Sequence, residues 1–211
     1  MAPDQIVFIV DDDRRVRESL VELLEAAGLH AVAFGSAAAY LASAAPGVPA
    51  CLILDLELPD INGLELQGRI GQGPHPHIVF ISGHGDIPSS VQAMKAGAVD
   101  FLPKPFEAEA LLRAVHAALA ENRDALRREA EVAHLRRRFD LLTPREREVL
   151  PLVASGRLNK QAAAELGISE VTLQIHRGSI MRKMQAASLP DLVRMATSLA
   201  IPVVPTRHAR G

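Results

Sequence analysis

Four apolar residues in a row, Cys51-Leu52-Ile53-Leu54, end on the carboxylate of Asp55, and this short stretch constrains the fold more than any other. A run that is apolar without alternation needs cover on both faces, so it reads as a buried strand of a parallel sheet. The loop beyond it carries Pro59, Asn62 and Gly63, all turn formers. Asp55 therefore stands at the C-terminal tip of the strand, and in an open parallel sheet ligands bind in the crevice outside the strand C-termini. Taken alone, the residue serves equally well as the first of a loop. Its meaning depends on what else reaches that edge.

Four further strands flank it. Gln5–Val10 is apolar after its first residue and ends in Asp11, Asp12 and Asp13. Leu29–Phe34 gives a second strand, Ile78–Ile81 a fourth that leads into Ser82, and Val99–Leu102 a fifth that leads into Pro103-Lys104-Pro105. Helical spacing fills the intervals, over Arg14–Ala27, Ser36–Ala44, Leu64–Ile70 and Ser89–Ala96, with Gly28 and Gly97 as stops. Strands alternating with helices imply βαβ units and a doubly wound α/β fold around a five-stranded parallel sheet.

The strand ends thus bring Asp11, Asp12, Asp55, Ser82 and Lys104 to one edge. Three carboxylates together need a cation, and oxygen ligands with room for water suit Mg²⁺. A metal, a hydroxyl and an ammonium are what a phosphoryl group requires, with Asp55 as the nucleophile. Individually, Lys104 reads as a solvated charge and Ser82 as a turn residue; together they read as a site.

Here the residues reach a family. The Asp11-Asp12-Asp13 run, the Asp55 strand followed by Leu58-Pro59-Asp60 and Gly63, the turn Ser82-Gly83-His84-Gly85-Asp86, and Met94-Lys95-Ala96-Gly97-Ala98 through Lys104-Pro105-Phe106 resemble the receiver domain of two-component response regulators over about residues 4–120. The resemblance implies Asp55 as phosphoacceptor and Asp12 and Asp55 as direct Mg²⁺ ligands. It places Asp11 nearby through water, with the Glu57 carbonyl completing the shell. Ser82 and Lys104 would bind the phosphoryl group, Phe101 would be the aromatic switch, and the Lys104–Pro105 bond would be cis. Glu57 is an unusual residue two positions past a phosphoacceptor, and its charge bears on phosphoryl lifetime.

The near-neutral total charge conceals a division. Residues 1–120 hold 15 acidic and 7 basic side chains, whereas residues 121–211 hold 10 acidic and 16 basic. A basic C-terminal half fits a polyanion partner such as DNA. Between the halves, Phe106–Phe139 has no glycine or proline and reads as one long helix or two end to end. Its heptad spacing of Leu112, Leu119, Leu126 and Ala133 is broken by Asn122, Glu129 and Arg136, too weak a seam for a coiled coil. Arg136-Arg137-Arg138 reads as a solvated face.

From Leu142 the character changes. Thr143 followed by Pro144 and Glu146 forms a capping-box pattern that opens a helix. Pro151 lies inside that helix, where it kinks it or removes a hydrogen bond. A second helix spans Asn159–Leu166, and a turn at Gly167 leads to a third, Glu170–Met184, giving a helix-turn-helix. The run Leu142–Leu150, Asn159-Lys160-Gln161-Ala162-Ala163, and Gly167-Ile168-Ser169-Glu170-Val171-Thr172-Leu173 with His176, Lys183-Met184 and Ser188-Leu189 resemble the LuxR-type DNA-binding domain. With the receiver ahead of it, the chain resembles the NarL/FixJ group of transcription regulators. The resemblance makes Glu170–Met184 the recognition helix. Gln174, Ile175, His176 and Gly178 stand at its exposed start, and Lys160, Thr172, Arg177, Arg182 and Lys183 are the phosphate candidates. Gln174 stands where relatives usually carry lysine, and glutamine can read adenine. The final helix, Ser188–Ala200, can dimerise on DNA in the family.

The expected organisation is a receiver over residues 1–120, a helical linker over 121–140, an all-α helix-turn-helix domain over 141–203 and a tail over 204–211. The expected function is a DNA-binding transcription regulator switched by phosphorylation of Asp55 from a sensor histidine kinase with Mg²⁺, dimerising when phosphorylated and binding promoter DNA. No enzyme activity is expected beyond self-catalysed phosphoryl transfer and dephosphorylation. Two alternatives stand beside it: a regulator whose receiver no longer needs phosphate, and a Mg²⁺-dependent phosphohydrolase using Asp55. A nucleotide-binding site is excluded because neither Gly-x-Gly-x-x-Gly nor Gly-Lys-Ser/Thr occurs. Cys51 is the sole cysteine, so no internal disulfide forms. The absence of a signal-peptide pattern or a membrane-length apolar run leads to a cytoplasmic protein as the expectation.

Overall fold

A computed structural model of the chain describes residues 3–43, 47–70, 75–83 and 87–202. The chain divides into two compact units, Met1–Arg127 and Arg128–Gly211. The first alternates β1 (Ile6–Val10), α1 (Arg14–Ala26), β2 (Ala31–Phe34), α2 (Ala37–Leu41), β3 (Ala50–Asp55), α3 (Gly63–Ile70), β4 (His77–Ser82), α4 (Ile87–Lys95) and β5 (Asp100–Pro103), and then enters α5 (Ala108–Asp140). All strand pairings are parallel, in the order β2-β1-β3-β4-β5. This is the doubly wound sheet that the strand–helix alternation predicts. The winding reverses between β1 and β3, so the crevice opens at the C-terminal ends of the two strands that carry the acids.

Side-chain alternation along the strands fills two cores. Val7, Ile9, Cys51 and Ile53 face Leu20 and Leu24 of α1 and Leu111, Val115 and Leu119 of α5. Phe8, Val10, Leu52 and Leu54 face Tyr40, Leu66, Ile70 and Ala93 on the other side. Every residue of β3 is buried, which is why its sequence lacks alternation.

The stretch that read as one helix or two is the single 33-residue α5. Within the first unit, Asn122 on α5 is buried; its Oδ1 accepts from the amide of Ala50 at 2.9 Å and its Nδ2 donates to the carbonyl of His75 at 2.6 Å. In the second unit, Leu135 and Phe139 from the last turns of α5 pack onto the core of α6 (Pro144–Ala154), α7 (Asn159–Leu166), α8 (Glu170–Met184) and α9 (Leu189–Ser198). Arg138 departs from the solvated role expected of it. It is half-buried, and its Nη1 donates to the carbonyl of Met184 at 3.1 Å, at the C-terminus of α8.

The capping box is formed: Glu146 N–H donates to Thr143 Oγ1, and Glu146 Oε2 accepts from Thr143 N–H at 2.7 Å. Helix α6 runs on through Pro151, whose missing N–H leaves the Arg147 carbonyl without its helical donor. The Ser155 amide and hydroxyl both donate to the Pro151 carbonyl, at 3.0 and 2.6 Å. Among the described residues, no helix is long and apolar enough to cross a membrane. Ala44, the His84–Asp86 part of the turn after β4, and the tail from residue 204 lie outside the described residues.

Candidate functional site

Two clusters of side chains stand out, one in each unit. In the first, Asp11 and Asp55 occupy the tips of β1 and β3, and both are buried (0 and 6 % exposed). Lys104, just past β5, reaches across the sheet edge and places Nζ 2.7 Å from Asp11 Oδ2 and 2.7 Å from Asp55 Oδ2. Asp12, next along the loop, is exposed. Ligand oxygens of Asp11, Asp12 and Asp55 lie within 4.8 Å of one another. Burial pushes the Asp11 carboxyl up from its ordinary pKa, and the Lys104 hydrogen bond and charge offset only part of that rise. Burial alone would lower the pKa of Lys104, but its bonds to Asp11 and Asp55 more than reverse this and hold it raised.

This donor set suits a hard divalent cation. It offers carboxylate oxygens only, and the exposed Asp12 leaves one side open to water. The lysine ammonium spanning two buried acids marks how much positive charge the cluster needs.

The remaining predicted residues surround this centre. Ser82 is fully buried at the tip of β4, and its carbonyl accepts the Lys104 amide at 2.7 Å, fastening the two strand ends together. Phe101 on β5 is half-buried, its ring centroid 6.1 Å from that of Phe80. The Lys104–Pro105 peptide is cis. Glu57 is exposed, and its amide donates to Asp55 Oδ1 at 3.1 Å. Gly63 is fixed by crowding, because a methyl in place of its hydrogen would lie 2.5 Å from the Asp55 carbonyl oxygen. Asp60, in the loop between Asp55 and Gly63, accepts from the amide of Ala38 at 2.9 Å and so ties the loop after β3 to the start of α2. Those hydrogen bonds hold its carboxyl below the usual range.

In the second unit, α8 begins at Ser169, whose hydroxyl accepts from the Thr172 amide at 3.1 Å. Val171, Gln174, Ile175 and Gly178 fall at helical spacing on one exposed face, with Val171 and Ile175 both 67 % exposed. Lys160 and Arg182 are exposed, and His176 is half-buried. Arg177 donates to Asn159 Oδ1 at 3.2 Å, linking α8 to α7. Lys183 is already engaged: its Nζ lies 2.7 Å from Glu146 Oε2, a carboxylate only 5 % exposed. Burial would raise the Glu146 carboxyl, but hydrogen bonds from Lys183, Ser179 and Thr143 prevail and bring it down to about 2. Val171 is an exposed apolar residue on the face of Gln174 and Ile175 that the sequence reading did not single out; its position three and four residues before them was the available signal.

Comparison with known proteins finds a matching family in each part of the chain. The response regulator receiver domain family matches residues 7–116, and the luxR family of bacterial regulatory proteins matches residues 140–196. Nodulation protein W of Bradyrhizobium diazoefficiens is 52 % identical over 199 residues, 93 % of this chain and 87 % of that protein. The transcriptional regulatory protein FixJ of Azorhizobium caulinodans is 44 % identical over 191 residues, 90 % of each. Among solved structures, the response regulator StyR superposes with a TM-score of 0.77 at 44 % identity, over 92 % of this chain and 99 % of that one.

Proposed function

We infer the mechanism from the premise that this chain belongs to the two-component response regulators of the NarL/FixJ group, a receiver domain joined to a LuxR-type DNA-binding domain. It is a transcription regulator that takes a phosphoryl group on Asp55 from a sensor histidine kinase. The observation that carries this reading is the Lys104 ammonium held 2.7 Å from both Asp11 and Asp55 at the sheet edge.

A carboxylate oxygen of Asp55 attacks the phosphorus of a phosphohistidine. The P–N bond breaks, a P–O bond forms, and the departing imidazole takes up a proton. Asp12, Asp55 and the Glu57 carbonyl would hold Mg²⁺, with Asp11 beside them, and the bound ion would supply charge neutralisation for the phosphoryl group. Lys104 exchanges one of its carboxylate partners for a phosphoryl oxygen, and the Ser82 hydroxyl donates to another. Ser82 at the tip of β4 accepts the Lys104 amide from the end of β5, so movement there shifts β5 and allows Phe101 to turn inward. The neighbouring face of α4, with Ile87, Val91 and Met94 exposed, pairs two phosphorylated copies. The receiver catalyses only its own phosphorylation and hydrolysis, and the protein works in the cytoplasm.

Helix α8 enters the major groove. Gln174 pairs with adenine, while Val171 and Ile175, apolar and exposed beside it, suit thymine methyl groups. Lys160 and Arg182, with Thr172 and Arg177, anchor the backbone phosphates; Lys183 serves them indirectly by fixing α8 onto Glu146. Treatment of the protein with a small acyl phosphate and Mg²⁺, followed by intact-mass measurement, tests the acceptor. The parent gains one phosphoryl group and Asp55→Asn gains none; equal labelling of the two would refute the assignment.

A further inference from the structure

We propose that Arg17 is a positioning residue for the acid pair, acting on Asp11 and Asp12 through their backbone. The proposal rests on the phosphoryl-site reading above and adds a residue to it. Arg17 lies one turn into α1, half-buried, and its Nη1 donates to the carbonyl of Asp11 at 2.7 Å and to the carbonyl of Asp12 at 2.9 Å. The guanidinium lies beside the Gly35 backbone just past β2, where a methyl built on that glycine would rest 3.5 Å from Nη1. The neighbouring Glu18 is taken by Arg14, at 2.7 Å.

The loop it grips has a physical problem. Asp11 and Asp12 are adjacent, their carboxylates share one small space with Asp55, and like charges at that range repel. Lys104 relieves this from the front, but it does so on Asp11 Oδ2 and Asp55 Oδ2, oxygens of the same carboxylates that a metal needs. Arg17 acts from behind. Its positive charge sits on two carbonyl oxygens and leaves all the carboxylate oxygens of the site untouched. Backbone amides also restrain the loop: Asp13 N–H donates to Asp11 Oδ1 at 2.8 Å, Asp11 N–H to the Phe34 carbonyl at 3.3 Å, and Arg15 N–H to Asp13 Oδ1 at 2.8 Å. Asp12 is exposed, so its carbonyl contact with Arg17 is the bond that orients the residue toward the site.

Removing such a supporting partner typically weakens a metal site by 10–100-fold, about the effect expected here. The test is Mg²⁺ titration of the full-length chain, followed by NMR of the Asp12 and Asp13 amides and by calorimetry, in the parent, Arg17→Met and the control Arg14→Met. Half-saturation should move up about tenfold or more in Arg17→Met and stay at the parent value in Arg14→Met. The rate of phosphoryl uptake at saturating Mg²⁺ should return to within about threefold of the parent, because the restraint acts on assembling the site. A lower melting temperature with unchanged Mg²⁺ half-saturation would reduce Arg17 to a structural role and overturn the proposal. If Arg17→Met fails to fold, Arg17→Gln is read by the same two criteria. A parent that binds no Mg²⁺ would refute the phosphoryl-site reading itself, which separates that failure from this one.

Discussion

Replacing Lys104 with methionine removes the ammonium and keeps most of its stem, and its consequences can be worked from two distances. The lost hydrogen bonds are both 2.7 Å, to carboxylates whose side chains are 0 and 8 % exposed, from a lysine that is 23 % exposed. Breaking a buried ion pair by removing one partner costs about 3–5 kcal/mol, because the other charge stays behind. For a unit the size of this receiver that corresponds to a fall in melting temperature of roughly 10–20 °C in the presence of a chelator. Two further signs follow. Metal binding no longer competes with the ammonium for Asp11 and Asp55, so Mg²⁺ should stabilise the variant more than the parent. The Asp11 carboxyl is already raised by burial, and losing Lys104 raises it further. The folded variant therefore binds a proton on Asp11 more readily than its unfolded form does, so its deficit is present at neutral pH and shrinks as pH falls toward the ordinary carboxylate range. Scanning calorimetry at pH 7 and pH 5, each with chelator and with Mg²⁺, reads all three effects. A metal-free variant as stable as the parent, or one that gains no more from Mg²⁺, would refute the reasoning.

Gly63→Ala should reduce phosphoryl uptake by at least tenfold, since the new methyl would sit 2.5 Å from the Asp55 carbonyl and force the acceptor strand to shift; unchanged uptake would mean that the loop yields freely. Glu146→Gln should lower the stability of the second unit by about 2 kcal/mol at pH 7, the worth of a charge-assisted bond to Lys183. Because the carboxyl is held down at about 2, its stabilisation is complete above the unfolded pKa near 4.5 and fades as pH falls through 2, so a urea midpoint difference that survives at pH 2 would count against it. Gln174→Ala should flatten the preference among operator variants, with about 1–3 kcal/mol of discrimination lost. Lys160→Ala should weaken every sequence alike and lower the salt slope by about one; equal loss across the operator panel for Gln174→Ala would remove it from base reading.

The strand tips were legible in the sequence because an unalternating apolar run stopped by a carboxylate fits the end of a buried strand and little else, and Asp11, Asp55, Ser82 and Lys104 do converge. The Thr143–Glu146 box was legible because its spacing is itself the geometry. Contacts between side chains and distant backbone were not. Nothing in the periodicity of α1 says that Arg17 turns toward the Asp11 and Asp12 carbonyls, or that Asn122 ties α5 to β3. Lys183 shows the same gap from another side. A lysine in a basic helix looks alike in sequence whether it faces phosphate or, as here, a buried Glu146 37 residues earlier. Arg138 looked like part of a solvated run until the C-terminus of α8 lay against it.

Coupling between Asp55 and DNA is the centre of the account, and one binding measurement reaches it directly. Operator fragments are selected from a random pool with the full-length protein, acyl phosphate and Mg²⁺, and their affinity is then measured for the parent and Asp55→Asn, with and without the donor. The donor should tighten the parent's binding by about 5–150-fold, the usual range for coupled sites, and leave Asp55→Asn unchanged. An equal gain in both proteins, or no gain in the parent, would contradict it.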